Sequence, residues 1–186
     1  MTGYAFCGSF CTLKYALAEM EKLIEAGVEI QPIVSERVAT TDTRFYKAED
    51  FLSRVEKSAG RRAALTITES ELFGKAAPLE ELIISPCTGN TLAKIANGIT
   101  DTAVTMAAKA HLRCDRPLLI ALASNDSMSQ NLKNISTLLL RRSVYFLPLS
   151  QDDPLGKPHS LVAKFEKMTD GYSEMKCGRQ LRPLFV

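Results

Sequence analysis

Histidine is almost missing from this chain of 186 residues: His111 and His159 are the only two. A closed zinc site wants four ligands. Cys7 and Cys11 have no Cys/His pair downstream to complete such a set, so no metal is expected. No apolar stretch approaches the roughly 18 residues of a membrane span. The N-terminus has neither a basic leader region nor a cleavage site, which leads to the expectation of a cytoplasmic protein without a membrane partner. No dense patch of lysine and arginine interleaved with aromatics is present, so no nucleic-acid partner is expected, and the net charge of +2 argues neither way. Repeats and dividing linkers are lacking too. The cysteines, Cys7, Cys11, Cys87, Cys114 and Cys177, are odd in number. Without an export signal they read as free thiols.

What is there suits an ordinary globular domain. Hydrophobic residues make up 46% and charged residues 24%, and the length fits one domain over residues 1–186 with a sizeable core. Residues 4–7 read as a short buried strand, followed by Gly8-Ser9-Phe10 and a helix with Leu13, Leu17, Met20 and Ile24 at helical spacing. Ala26-Gly27 closes that helix, and residues 28–34 form the next strand, with Ser35 at its exit. Residues 36–44 read as loop, 47–59 as a surface helix stopped at Gly60, and 64–68 as a short strand. Further on, 103–112 is an alanine-rich helix, with Asp101 or Thr100 as its cap. Residues 118–121 and 144–147 are strands, the second closed by Pro148, and a helix carrying Leu132, Ile135, Leu138 and Leu139 lies between them. Residues 160–168 suggest a final helix, and 169–186 an irregular tail whose apolar end either docks on a neighbouring subunit or is disordered. Strands alternating with helices give an α/β fold: three layers, Rossmann-like, with a mostly parallel sheet flanked by helices.

The chain is organised around residues 82–101. Leu82-Ile83-Ile84 is a buried strand that Pro86 is expected to stop. Cys87-Thr88-Gly89-Asn90-Thr91 is small and polar, and helical spacing resumes with Leu92, Ile95 and Ile99. A strand, a tight loop and a helix start place a ligand at the carboxyl edge of the sheet, where free N–H groups suit an anion or a carbonyl oxygen. The Gly8 loop is not a full G-x-G-x-x-G, so Gly8 reads equally as a tight turn or as a place where backbone approaches a phosphate. Cys87 is either a thiolate activated by the helix start or a small buried side chain. Asp126 is either a base or the cap of a helix starting near Ser127.

These residues resemble the flavin-dependent cysteine decarboxylase superfamily. Its PASANT segment is matched by Pro86 to Thr91, and the helix pattern after it by Ala93, Lys94, Ala96, Gly98 and Asp101. A second block, A-P-A-M-N-x-x-M, stands here as Ala121-Leu122-Ala123-Ser124-Asn125-Asp126-Ser127-Met128. The resemblance covers about half of the chain. It implies FMN, with the phosphate at Gly8, Ser9 and Ser35, and with Phe10, Pro86, Thr88, Asn90, Thr91, Ser124 and Asn125 as the other cofactor-binding candidates. It also implies a homo-oligomer, a trimer or a multiple of one, with FMN at a subunit interface. The decarboxylases use a histidine shortly before the PASANT strand; residues 66–79 hold none, and Leu122 and Ser124 replace the proline and methionine of the second block. No catalytic residue is therefore assigned. The spellings Pro-Cys-Thr-Gly-Asn-Thr, Ser-Asn-Asp-Ser-Met and Cys-Gly-Ser-Phe-Cys most resemble a sporulation branch of the superfamily. There the protein assists an oxidation alongside a partner chain, through which alone NAD(P) enters, on a small dicarboxylate substrate. Lys14, Arg37, Arg44 and Lys94 are the cations nearest in sequence for such a substrate. A stand-alone flavin decarboxylase or oxidoreductase, and a non-catalytic FMN-binding scaffold, remain as the other readings.

Overall fold

Strand β1 (Thr2–Phe6) is buried along its whole length, which a strand achieves only when both faces of its sheet are covered. The computed structural model describes residues 1–186. Helix α1 (Leu13–Glu25) returns the chain beside β1. Its buried residues, Leu13, Ala16, Leu17, Met20 and Leu23, recur at three- and four-residue spacing. Gly27, at φ 87°, turns the chain into β2 (Ile30–Val34), which pairs in parallel with β1. Helices α2 (Glu36–Thr40) and α3 (Ala48–Ala59) follow, the latter ended by Gly60 in the left-handed conformation. After α4 (Ile67–Glu71), β3 (Glu81–Thr88) pairs with the other side of β1. Helices α5 (Gly89–Ala96) and α6 (Ala103–Leu112) lead to β4 (Leu118–Ser124), also parallel. Then come α7 (Leu132–Leu139), the short strands β5 (Val144–Phe146), β6 (Leu149–Ser150) and β7 (Leu161–Ala163), and α8 (Met168–Lys176).

The sheet runs β2-β1-β3-β4-β7-β6, with β5 beside the first half of β4. β5 continues the parallel set, whereas β7 lies antiparallel against the end of β4 and pairs with β6. Helix α1 packs against α3 and α8; α6 packs against α4 and α5, and α5 also against α7. One continuous core of 48 buried residues runs through the sheet, so both faces are covered. This is the α/β, mostly parallel, helix-flanked fold expected.

Several local expectations are corrected. Pro86 does not stop β3. The β3–β4 register shifts between Ile84 and Cys87, and a residue without an N–H fits at such an irregularity. Residues 36–44 contain α2, held by its buried Val38. Only Ala64 of residues 64–68 pairs with a strand, bridging to Ile33; Thr66 instead caps α4 in a capping box with Glu69. The cap of α6 is Thr102, in a box with Thr105, while Asp101 is ion-paired to Lys94 at 2.8 Å. Pro148 separates β5 from β6 without ending the sheet. The expected helix over 160–168 is β7 and a 3₁₀ turn (Phe165–Lys167), with Leu161, Ala163 and Phe165 buried in alternation. The tail is not irregular throughout: α8 occupies its first part. Its end docks on its own chain, Leu149 N–H donating to Leu184 O at 2.7 Å and Val186 N–H to Leu149 O at 2.9 Å.

Candidate functional site

Strand β1 leads to β2 on one side of the sheet and has β3 on the other, so the order reverses between β1 and β3. Ligands of open α/β sheets bind outside the carboxyl ends at such a point. Here the segments after β1, β3 and β4 open together into a cleft of about 1210 Å³. That is at or above the roughly 300–1,000 Å³ of most small-molecule sites, in a cleft that is open to solvent.

The first wall is Gly8 to Thr12. Thr12 Oγ1 donates to Ser9 O and to Ser9 Oγ, both at 2.9 Å, fixing the turn that presents Gly8, Ser9 and the Phe10 ring. A Cβ added to Gly8 would lie 3.7 Å from the Phe10 ring, an ordinary contact, so the chain could accept one there. Behind this loop sits Ser35. Its N–H donates to Phe6 O at 3.0 Å, tying it to the end of β1, yet its hydroxyl is buried with no partner. A buried hydroxyl left unbonded costs about 1–3 kcal/mol; the hydroxyls of Ser70, Ser85 and Ser160 are left in the same state elsewhere in the chain.

The second wall is the start of α5. Thr88 caps the helix, accepting from Thr91 N–H at 3.2 Å and donating to Thr91 Oγ1 at 3.1 Å. Thr91 is therefore buried beneath Thr88 and does not line the cleft. Gly89 and Asn90 do, in the first turn of the helix where N–H groups lack partners within it.

The third wall follows β4. Ser124 Oγ donates to Asp126 Oδ1 at 2.5 Å, Asn131 Nδ2 donates to the same oxygen at 2.8 Å, and Asn134 Nδ2 donates to Asn131 Oδ1 at 2.8 Å. The Ser124 hydroxyl, aided by the Asn131 amide and against some burial, holds the Asp126 carboxyl below the usual carboxylate range. Asp126 is thus an ionised group on the cleft wall. It is not a helix cap, since α7 begins only at Leu132. Asn125 lies beside it.

Of the ten candidates, Gly8, Ser9, Phe10, Thr88, Asn90, Ser124 and Asn125 line the cleft; Ser35, Pro86 and Thr91 do not. Pro86 lies under the first wall, its carbonyl accepting from Cys7 N–H at 3.2 Å. Asn131, Asn134 and Lys133 line the cleft unforeseen, although the polar run after β4 marked their neighbourhood. Asp152 and Lys157, paired at 2.9 Å, reach it from the β6–β7 loop, and nothing local in the sequence points to them. Burial pushes the Cys7 thiol up to about 11 and the Cys87 thiol well above its ordinary value. Cys87 is a buried side chain, not an activated thiolate. His111 is buried, with Nε2 2.8 Å from Pro117 O, and His159 is exposed; no histidine lines the cleft.

The profile of the Flavoprotein family matches residues 3–171. The B subunit of dipicolinate synthase from Bacillus subtilis (strain 168) is 35% identical over 184 residues, covering 99% of this chain and 92% of that one. The crystal structure of the corresponding dipicolinate synthase protein from Bacillus halodurans superposes with a TM-score of 0.91 at 34% identity, covering 100% of this chain and 95% of that one. An FMN-dependent cysteine decarboxylase shares the fold, with a TM-score of 0.69 at 18% identity and 95% of each chain covered.

Proposed function

This chain belongs to the Flavoprotein family, and on that premise we propose that it is the B subunit of a dipicolinate synthase, assisting conversion of dihydrodipicolinate to dipicolinate during sporulation. FMN is its cofactor, and the dipicolinate synthase A subunit its partner, through which alone NAD(P) takes part. The observation that carries the flavin assignment is the convergence of the Gly8-Ser9 turn, the start of α5 and Ser124-Asn125 on one cleft, with the unpartnered Ser35 hydroxyl beside the Gly8 turn. A phosphate would be held there by the Ser35 and Ser9 hydroxyls and by backbone at Gly8. Asn90, Ser124 and Asn125 offer donors and acceptors to the edge of a flavin ring, and Phe10 an apolar face. A bound flavin supplies a two-electron acceptor. The chain's own part is to seat that group, orient an acidic substrate against it and keep water away.

Closing the cleft calls for a second copy. Tyr15 and Phe45 line it while about half exposed, and Met128 and Leu132 on the β4–α7 side are exposed as well. Apolar side chains of this size around one cleft suit burial in a homo-oligomer, a trimer or a multiple of one. No helix is long and apolar enough to cross a membrane. Work in the cytoplasm is part of the proposal.

A stand-alone cysteine decarboxylase is the competing reading, and the lack of any histidine on the cleft wall weighs against it. The deciding experiment follows dihydrodipicolinate oxidation by the FMN-loaded chain with and without the A subunit, and carbon dioxide release from a peptidyl-cysteine. Oxidation dependent on both subunits is expected. Turnover of the peptide at roughly one per second or faster would overturn the proposal.

A further inference from the structure

The cations around the cleft divide into those already engaged and those left free. Lys157 is paired to Asp152, and Lys94 to Asp101 at 2.8 Å. Lys14 lies over the Tyr15 ring, and neither it nor Arg37 is part of the cleft wall. Two cations remain that line the cleft and have no carboxylate partner. Arg44, between α2 and α3, rests its guanidinium 4.8 Å from the centre of the Phe45 ring, a contact that orients it. Lys133 stands in the first turn of α7, next to the Asn131–Asn134 chain that runs to Asp126.

The two belong to different walls. Arg44 comes from the β2 side of the sheet and Lys133 from the β4 side. The Asp152–Lys157 pair cancels itself, and Asp126 is satisfied by neutral donors, Ser124 and Asn131. The cleft therefore presents two free, solvent-exposed positive charges, Arg44 from the segment between α2 and α3 and Lys133 from α7, beside one ionised carboxylate. A molecule that satisfies both cations carries two negative groups. The phosphate seat at Gly8, Ser9 and Ser35 is built from hydroxyls and backbone and needs neither cation.

We propose that Arg44 and Lys133 are the paired carboxylate-binding residues of this cleft, each taking one acid group of a small dicarboxylate. The inference rests on the reading of the cleft given under Proposed function and names the residues that would select its substrate. Arginine accepts a carboxylate in a two-pronged geometry and lysine as a point charge.

The test is calorimetric titration of the full chain, saturated with FMN, with three probes: pyridine-2,6-dicarboxylate, pyridine-2-carboxylate and the neutral pyridine-2,6-dicarboxamide. Wild type is compared with Arg44→Gln and Lys133→Gln, and FMN affinity is measured separately on each by flavin fluorescence. The dicarboxylate is expected to bind best, and each variant to weaken it by about tenfold. Binding of the dicarboxamide and of FMN should not change. Variants that bind the dicarboxylate like wild type, a wild type that does not prefer it, or losses that run in step with FMN affinity would each overturn the proposal. Its failure is separable from that of the function: binding lost in both variants without any oxidation sinks only the synthase assignment. Oxidation with an unchanged KM in both variants sinks only this one.

Discussion

Gly89 and Ser124 touch across the β3–β4 pair: a Cβ built on Gly89 would collide with the Ser124 hydroxyl. Asn131 Nδ2 would lie 2.6 Å from that Cβ and Asp126 Oδ1 2.9 Å. The helix start after one strand and the polar network after its neighbour are packed into one unit. The glycine's missing side chain is what allows it.

Gly89→Ala is therefore expected to destabilise the protein. Overpacking of this kind costs about 1–3 kcal/mol, against at most about 1 kcal/mol gained from alanine in a helix. FMN binding should weaken as well, because Ser124 and Asn131 must move. Thermal denaturation and flavin titration measure both. An alanine variant as stable as wild type, with the same FMN affinity, would show that the network gives way without consequence.

Ser35→Ala separates a binding role from a structural one. The hydroxyl has no partner in the folded chain, so its removal should leave the stability of the FMN-free protein unchanged or raise it by about 1 kcal/mol. FMN affinity should fall by about tenfold. Loss of stability with unaltered FMN binding is the contrary outcome.

His111 makes stability depend on pH. Burial, with the Arg116 charge adding to it and the Pro117 carbonyl opposing, lowers its pKa from 6.5 to about 4. Above 6.5 both folded and unfolded chains keep the ring neutral, and the group has no effect. As pH falls from 6.5 towards 4 the unfolded chain takes up the proton and the folded chain resists it, so stability drops. The loss is at most about 3 kcal/mol. Urea unfolding between about pH 7 and pH 4 should show a flatter profile for His111→Gln than for wild type. Parallel profiles would mean that the ring titrates alike in both states.

The thiols should divide into fast and slow. Cys11 and Cys177 are exposed, while Cys7 and Cys87 are buried with raised pKa values. Iodoacetamide at about pH 7.5 should label the exposed pair first and the buried pair only after unfolding. Saturating FMN should slow Cys11, which lines the cleft, and leave Cys177 unaffected. Mass spectrometry of the labelled peptides gives the order directly.

Where the hydrophobic period was long, the sequence was legible. Helix α1 and helix α3 up to Gly60 follow from spacing and their closing glycines, and the extent of α6 from its alanine-rich run, although its cap, Thr102, lies one or two residues past the expected position. The short elements were not. Leu161, Ala163, Phe165 and Met168 fit a helix or a strand almost equally, and the unpaired end of β4 and the strand β6 decide for β7. The signal for Thr66 as a cap, with Glu69 three residues on, was present but outweighed by the β-rich look of its neighbours.

By itself the sequence determined the α/β alternation, because that follows from local periodicity, and with it that the loops after parallel strands gather at the carboxyl edge. Only the tertiary structure decided what each polar side chain in those loops does. Thr91 turned inward to serve Thr88, Ser35 was left with an unbonded hydroxyl, and Lys94 was taken by Asp101 while Lys133 was left free in the cleft. A hydrogen bond or ion pair depends on which groups come within about 3 Å, and neighbours such as Gly89 and Asn131 are brought together by the folding of whole strands and helices, not by spacing along the chain.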